Sequence, residues 1–355
     1  MSNLYYIPEQ GKLAKWLVER SSGMGKAFFC NSGAEGNEAA FKLARKYWWL
    51  KKQKQNSGGN GKGVGKDDSG GLPVIISAYN SFHGRTLATI TATGQEKYHQ
   101  NFGPMVEGFE YVCYNDAEDL KRVVDKVGKE NLAGIIMEAL QGEGGVVPGD
   151  LEFFKTVRGV CDEADALMIC DEVQVGMGRT GKLWGFENLG VEPDVITTAK
   201  GLGGGVPIGL MMCKEKCNVF GPGDHASTFG GNPLASAAGF AVCNELEEGG
   251  VMKNCEARGT QIRDGLKEIA GKVEGVIKEV RGWGLINGII LKDDKQVNSS
   301  NVVQAAIDQG LLLVPAGPKV VRFVPPLIIT EQQVKEALAK FEKALQGVAD
   351  PLKSQ

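Results

Sequence analysis

LMICDEVQVGMGRTGKLWGFENLGVEPDVITTAK, residues 167 to 200, decides how the rest of the chain is read. Leu167, Met168, Ile169 and Cys170 form a continuous apolar run that ends in Asp171 and Glu172. That is the pattern of a strand buried on both faces and carrying acids at its carboxyl end. Open α/β sheets bind their ligands at the carboxyl ends of parallel strands. After a glycine-rich loop, Asp194 to Thr198 reads as a second short strand, and Lys200 follows it on a tight turn ahead of Gly201 and Gly203 to Gly205. Taken singly, both residues have plainer readings. A lysine among 40 Lys and Arg residues is ordinarily a solvated surface group, and a strand-end aspartate is ordinarily a cap or an ion-pair partner. Together, an acid at one strand end and a lysine at a later one can face the same crevice.

Upstream, Ala27 to Cys30 reads as a strand that turns at once into a helix through NSGAEGNEAAFKLARKYWW. Ser32 and Glu35 have capping-box spacing, and Ala40, Leu43, Ala44, Tyr47 and Trp48 recur on one helical face. The amides of Gly33 and Ala34 would then project from a positive helix end, which suits a phosphate; an ordinary capped helix without a ligand is the plainer alternative. Further apolar strands at Val74 to Ser77, Phe109 to Cys113 and Ala133 to Met137 alternate with helical stretches at Ala117 to Val127 and Leu151 to Asp162. This alternation predicts an α/β fold with a mainly parallel sheet wrapped by helices. From about Cys243 the pattern shifts to a smaller α/β domain, giving an expected division of 1–242 and 243–355. Residues 51–71, rich in Gly and Lys, read as a flexible loop within the larger part.

The composition is that of a globular protein, 42% hydrophobic and 23% charged, and the longest apolar runs are too short to span a bilayer. A net charge of -3 argues against a broad nucleic-acid or anionic-membrane surface. The eight cysteines are scattered, several within apolar strands such as those ending at Cys113 and Cys170, so buried free thiols are expected. Cys213 and Cys217 lack nearby ligands for zinc, and no metal site is expected. No address can be read from the first residues.

DEVQVGMGRTG followed by PDVITTAKGLGGGVPIG resembles the signature of the class III pyridoxal-phosphate aminotransferases, a fold type I family, over nearly the whole chain. The resemblance implies that Lys200 holds pyridoxal 5'-phosphate as a Schiff base and then shuttles a proton, and that Asp171 keeps the pyridine nitrogen protonated. Ser32, Gly33 and Ala34 would cradle the phosphate, Phe82 and Val173 would cover the two ring faces, and Gln174 would bond the ring hydroxyl. Thr228 would reach the phosphate of a partner's cofactor, which implies a homodimer with shared sites. Arg85 and Ser227 would contact the substrate, Arg322 would help to anchor its α-carboxylate as a bidentate pair, and Glu143 would lie near it and pair with an arginine. His83 has no assigned role. Gly36 stands where the family usually has alanine.

EALQGEGG, DHASTFGGNP and PAGPKVVRFVPPLIIT most resemble the members, plant and algal ones included, that use N-acetylornithine as amino donor and 2-oxoglutarate as acceptor. Donors such as ornithine or 4-aminobutyrate, or a non-catalytic relative of the fold, are the alternatives; a dehydrogenase fits least, because no ribose-binding acid follows the glycines. The family normally carries several dozen further residues before the point where this sequence starts, so a shortened chain is expected, as is a chloroplast or mitochondrial setting.

Overall fold

The computed structural model describes residues 5–56, 71–293 and 297–353. Its contacts divide the chain into two compact units. The first takes the chain up to Ala139, then Gly149–Gln174 and Phe186–Cys243; the second takes Leu140–Pro148, Val175–Gly185 and the chain from Asn244 on. The last change of unit falls one residue beyond 242, but the segments 140–148 and 175–185 lie in the second unit rather than in the large one, as the sequence suggested. Hydrogen bonds explain the two excursions. Arg281 donates to the carbonyls of Gly145 and Val146, and Arg179 donates to those of Leu285 and Pro325.

The first unit begins with α1 (Pro8–Glu19), β1 (Met24–Cys30), α2 (Gly33–Asn56), β2 (Val74–Ala78), α3 (Leu87–Ala92), β3 (Phe109–Val112), α4 (Ala117–Val127) and β4 (Leu132–Met137). The short β5 (Leu140–Gln141) and β6 (Val147–Pro148) pair with each other in the second unit. The first unit resumes with α5 (Leu151–Ala164), β7 (Leu167–Asp171), β8 (Val195–Thr198) and β9 (Gly209–Lys214), and α6 (Pro233–Glu247) leads out of it.

Seven strands form one sheet in the order β1-β9-β8-β7-β4-β2-β3. Within it β9 is antiparallel to β1 and β8, and the other pairs are parallel. Every residue of β4, β7 and β8 is buried, as expected where helices cover both faces. Ala40, Leu43, Ala44 and Trp48 of α2 pack with Ile136, Ile169 and Val195 of these strands, and each large apolar side chain buried this way contributes about 1.5–3 kcal/mol. Tyr47 is only half-buried; its hydroxyl reaches Asp165 at 2.8 Å. The first residues of the flexible loop expected at 51–71 are not loop. Lys51 to Asn56 are still helical, and Lys51 Nζ donates to the carbonyls of Ala164 and Asp165 at 2.8 Å each. The remainder of that loop, 57–70, lies outside the described residues.

Gly36 has a structural reason: a Cβ there would sit 3.0 Å from the Leu210 carbonyl oxygen, so α2 lies close against β9. Cys113 falls just past β3 and is exposed, unlike the other seven cysteines, because the strand ends at Val112.

The second unit adds α7 (Val251–Lys272), β10 (Ile277–Trp283), β11 (Ile286–Leu291), α8 (Ser299–Asp308), β12 (Val314–Pro315), β13 (Val320–Phe323) and α9 (Glu331–Lys353). Its four-stranded antiparallel sheet runs β10-β11-β13-β12. Ile262, Leu266, Ile269, Phe341 and Leu345 share its core with Ile289, Val321 and Phe323. Among the described residues no helix is long and apolar enough to cross a membrane.

Candidate active site

Asp171, the last residue of β7, lies opposite Thr197 of β8 in a parallel pair. Neighbouring strands are about 5 Å apart, and Lys200 is three residues beyond Thr197, a reach of at most about 11 Å. The carboxylate and the amine therefore share one end of the sheet. Lys200 takes a φ of +41°, directly after Ala199 at φ -164° and ψ -142°. A left-handed conformation in a non-glycine residue costs about 1–3 kcal/mol and persists only where the surroundings enforce it. Here the Leu202 N–H closes the turn on the Ala199 carbonyl at 2.9 Å, and the Leu202 side chain is fully buried. Lys200 itself is exposed and, among the described residues, makes no hydrogen bond or ion pair.

Asp171 is buried and held on both oxygens. Asn37 Nδ2 donates to Oδ2 at 2.8 Å, His83 Nδ1 lies 2.8 Å from the same oxygen, and the Val173 N–H donates to Oδ1 at 3.0 Å. Asn37 is fixed in turn, accepting from Thr197 Oγ1 at 2.6 Å and donating to the His83 carbonyl at 2.8 Å. His83 Nε2 lies 3.2 Å from Ser77 Oγ. Burial, then Glu172, pushes the neighbouring Cys170 thiol well above its usual range, so it adds no charge here. Glu172 does a structural job, accepting the Phe186 N–H at 2.9 Å.

The capping box at the start of α2 forms with one change. The Glu35 N–H donates to Ser32 Oγ at 3.2 Å, but the Glu35 carboxylate reaches back to the N–H of Asn31, not of Ser32, at 2.6 Å. The amides of Gly33 and Ala34, in the first turn, have no intrahelical acceptor. Close approaches gather other segments around this helix end. A Cβ on Gly33 would meet Val173 Cγ2 at 2.6 Å, and one on Gly84 would meet the Ala34 Cβ at 2.8 Å. Ser227 Oγ accepts from Asn31 Nδ2 at 3.2 Å and from the Gly230 N–H at 3.1 Å, which brings Ser227 to the same place. Thr228 next to it is exposed. The turn before them is tied to α2: Lys46 pairs with Asp224, and Lys42 Nζ donates to the Asp224 carbonyl at 2.7 Å.

Phe82, half-buried, donates its N–H to the Glu138 carboxylate at 3.2 Å. Glu138 follows β4 much as Asp171 ends β7. Arg85 is exposed close by, Val173 lies against Gly33, and Gln174 follows it. Sequence reasoning missed Asn37, Thr197 and Ser77, noted Glu138 only as a strand-end acid like Asp171, and left His83 without a role. The signal for Asn37 was present: it is four residues after Gly33 on the buried side of α2, an apolar face where an amide needs partners. Arg322 and Glu143 belong to the second unit, where Arg322 on β13 is buried and its Nη1 reaches Glu143 Oε1 at 2.8 Å. This is the pairing expected of Glu143.

Pyridoxal phosphate requires an anion for its ring nitrogen, an amine for its aldehyde, apolar cover for its ring and N–H groups for a dianionic phosphate. The first unit supplies these as Asp171, Lys200, Val173 with Phe82, and the first turn of α2. The contact at Gly33 is a specific indication of fit, because it sets the first turn of α2, with its open amides, directly against Val173, where a larger residue would intrude.

The profile of the class-III aminotransferases matches residues 1–345. An acetylornithine aminotransferase of Synechocystis is 56% identical over 347 residues, 97% of this chain and 77% of that protein. One from Nostoc is 55% identical over 350 residues, 98% of this chain and 78% of that protein. Among solved structures, the N-acetylornithine aminotransferase of Stenotrophomonas maltophilia superposes with a TM-score of 0.81 at 34% identity, covering 100% of this chain and 83% of the other. The ornithine aminotransferase of Toxoplasma gondii, described with pyridoxal phosphate at its active site, gives 0.89 at 31% identity, covering 99% and 80%.

Proposed function

Because this chain belongs to the class-III aminotransferases, enzymes that depend on pyridoxal phosphate, we propose that it moves the terminal amino group of N-acetylornithine to 2-oxoglutarate. The products are N-acetylglutamate 5-semialdehyde and glutamate, a step of arginine biosynthesis. One observation carries the chemistry: a buried carboxylate hydrogen-bonded on both oxygens at the end of β7 and, at the same end of the sheet, an unpaired, strained lysine after β8. The donor rests on the names of relatives that share more than half of this chain's residues.

Bound pyridoxal phosphate supplies an aldehyde that captures the amine and a ring that withdraws electrons. Asp171, fixed by Asn37, His83 and the Val173 amide, holds a proton on the ring nitrogen and keeps the ring electron-poor. Lys200 Nζ would anchor the cofactor by its aldehyde and give way to the donor amine. Its freed amine then takes the proton from the carbon that bears the donor nitrogen and returns it on the cofactor side. With 2-oxoglutarate as acceptor, Asp171 and Lys200 would serve the return half of the transfer in the same roles.

The Gly33 and Ala34 amides hold the phosphate, with Ser32 beside them. Phe82 and Val173 cover the ring, and Gln174 bonds its hydroxyl. Arg85 takes the donor carboxylate and Ser227 the rest of the donor. Arg322 is the second unit's carboxylate-binding candidate, for which a substrate must displace or share Glu143. Thr228, exposed in a single chain, suits a role across a homodimer, where it would meet the partner's cofactor phosphate.

Ornithine is the second reading, favoured by the backbone similarity to the Toxoplasma enzyme. Side chains set donor choice, and identity to the acetylornithine enzymes is higher, 56% against 31%. Measuring kcat/KM for N-acetylornithine, ornithine and 4-aminobutyrate, each with 2-oxoglutarate, separates them. N-acetylornithine should lead by about tenfold or more, equivalent to roughly 1.4 kcal/mol; a lead for either of the others would overturn the donor assignment.

A further inference from the structure

Arg85 is held by ring faces and not by an anion. Its Cζ lies 4.2 Å from the Tyr98 ring centroid and 5.4 Å from that of Phe82. The two rings meet edge to face, 5.8 Å apart at 81°. Every other arginine in the chain reaches an oxygen acceptor: Arg45 the Glu107 carbonyl, for instance, Arg158 the Asp194 carboxylate and Arg322 that of Glu143. Arg85 reaches none among the described residues.

A guanidinium stacked on a ring uses its face and leaves its N–H edge open. That edge matches a planar carboxylate with two parallel hydrogen bonds. A salt bridge would also hold the arginine still, but it would occupy the donors a substrate needs. Lys97 Nζ lies 4.7 Å from the same Tyr98 ring, so this corner carries two positive charges.

The ring is itself well anchored. Tyr98 ends a single turn, Glu96–Tyr98, that starts from Gln95. Gln95 Nε2 donates to the Ser81 carbonyl at 2.9 Å, and the Gly94 N–H donates to Ser81 Oγ at 3.0 Å, tying the turn to the residue before Phe82. On the other side His99 Nε2 lies 2.9 Å from the Ile90 carbonyl and 2.8 Å from that of Thr93.

We propose that Tyr98 is a positioning residue for substrate recognition: its ring presents Arg85 edge-on to the donor carboxylate and so sets the KM for the donor. The inference rests on the reading above that Arg85 takes that carboxylate. Sequence gave no hint of it, because Tyr98 is thirteen residues from Arg85 in a stretch with no recognisable pattern.

The test is steady-state kinetics of Tyr98→Phe, Tyr98→Leu, Tyr98→Met, Arg85→Ala and the double variant Tyr98→Leu/Arg85→Ala on the holoenzyme with N-acetylornithine. Tyr98→Leu and Tyr98→Met should raise the donor KM about 3- to 30-fold, the range of cation–π contacts. Their kcat should stay within about twofold, and Tyr98→Phe, which keeps the ring, should stay near the parent enzyme. The double variant should be no worse than Arg85→Ala alone, because the ring acts only through the arginine. Additive losses, or a Tyr98→Phe as impaired as Tyr98→Leu, would overturn the proposal. If Arg85→Ala raises the KM while both ring deletions leave it unchanged, the platform fails and Arg85 keeps its role. An Arg85→Ala without effect on KM would remove the reading beneath it.

Discussion

His83 Nδ1 and Asp171 Oδ2 lie 2.8 Å apart with both side chains buried, and the imidazole's other nitrogen lies 3.2 Å from Ser77 Oγ. An ionised carboxylate can only accept, so His83 donates from Nδ1, and in the neutral ring Nε2 accepts the Ser77 hydroxyl proton. His83 thereby fixes which way Asp171 faces. His83→Ala should lower stability by about 1–3 kcal/mol, the cost of leaving buried polar groups without a partner. It should also weaken cofactor binding. Urea unfolding of the apoprotein and cofactor titration measure the two effects, and unchanged values in both would show that the contact is idle.

Asp171→Asn keeps the shape but puts an amide where Asn37 and the Val173 N–H both donate. The ring nitrogen then loses its anion. We expect kcat to fall about 10²–10³-fold, the usual effect of removing one electrostatic stabiliser, in protein that remains folded and still binds cofactor. Turnover within a few-fold of the parent would contradict the role assigned to the carboxylate.

Gly33→Ala tests the close contact at the start of α2. The new Cβ would fall 2.6 Å from Val173 Cγ2, and overpacking of this kind costs about 1–3 kcal/mol. If Val173 and the first-turn amides face the cofactor as proposed, its Kd should rise by a comparable free energy, while the helix is retained. Equilibrium titration and circular dichroism check the two halves of that statement.

His225 gives the turn before Ser227 a pH dependence. Burial, then Lys42, lowers the imidazole below its ordinary value of 6.5. Lys42 Nζ stands 3.0 Å from Nδ1, and the ring lies 4.7 Å from that of Phe28. A base with a lowered native value takes up its proton first in the unfolded chain. Stability should therefore fall as the pH drops through about 6.5, the unfolded value, and level off once the native ring is also protonated. In His225→Phe that part of the dependence should vanish from unfolding curves recorded between about pH 5 and 7; a dependence as large as the parent's would rule His225 out as its source.

The strand–acid and strand–lysine patterns made β7, β8, Asp171 and Lys200 legible, because fully buried parallel strands read as unbroken apolar runs and their ends are marked by polar residues. The start of α2 was legible for a similar reason, since capping chemistry is local. What escaped depends on partners distant in sequence. Asn37 meets Asp171 across 134 positions and Thr197 across 160, and no local pattern announces either contact. The excursions 140–148 and 175–185 escaped likewise, since the arginines that hold them, Arg281 and Arg179, bond to backbone carbonyls. Lys51 to Asn56 were read as loop because composition outweighed the helix they continue.

The most direct test of the central claim is the absorption spectrum of the purified protein with pyridoxal phosphate, recorded as N-acetylornithine and then 2-oxoglutarate are added. The donor should shift the cofactor's visible band and the acceptor should restore it, and Lys200→Ala should bind cofactor without borohydride-stable attachment and show no such cycle. A band that ignores N-acetylornithine but cycles with ornithine would contradict the donor, and a Lys200→Ala protein that cycles like the parent would contradict the site itself.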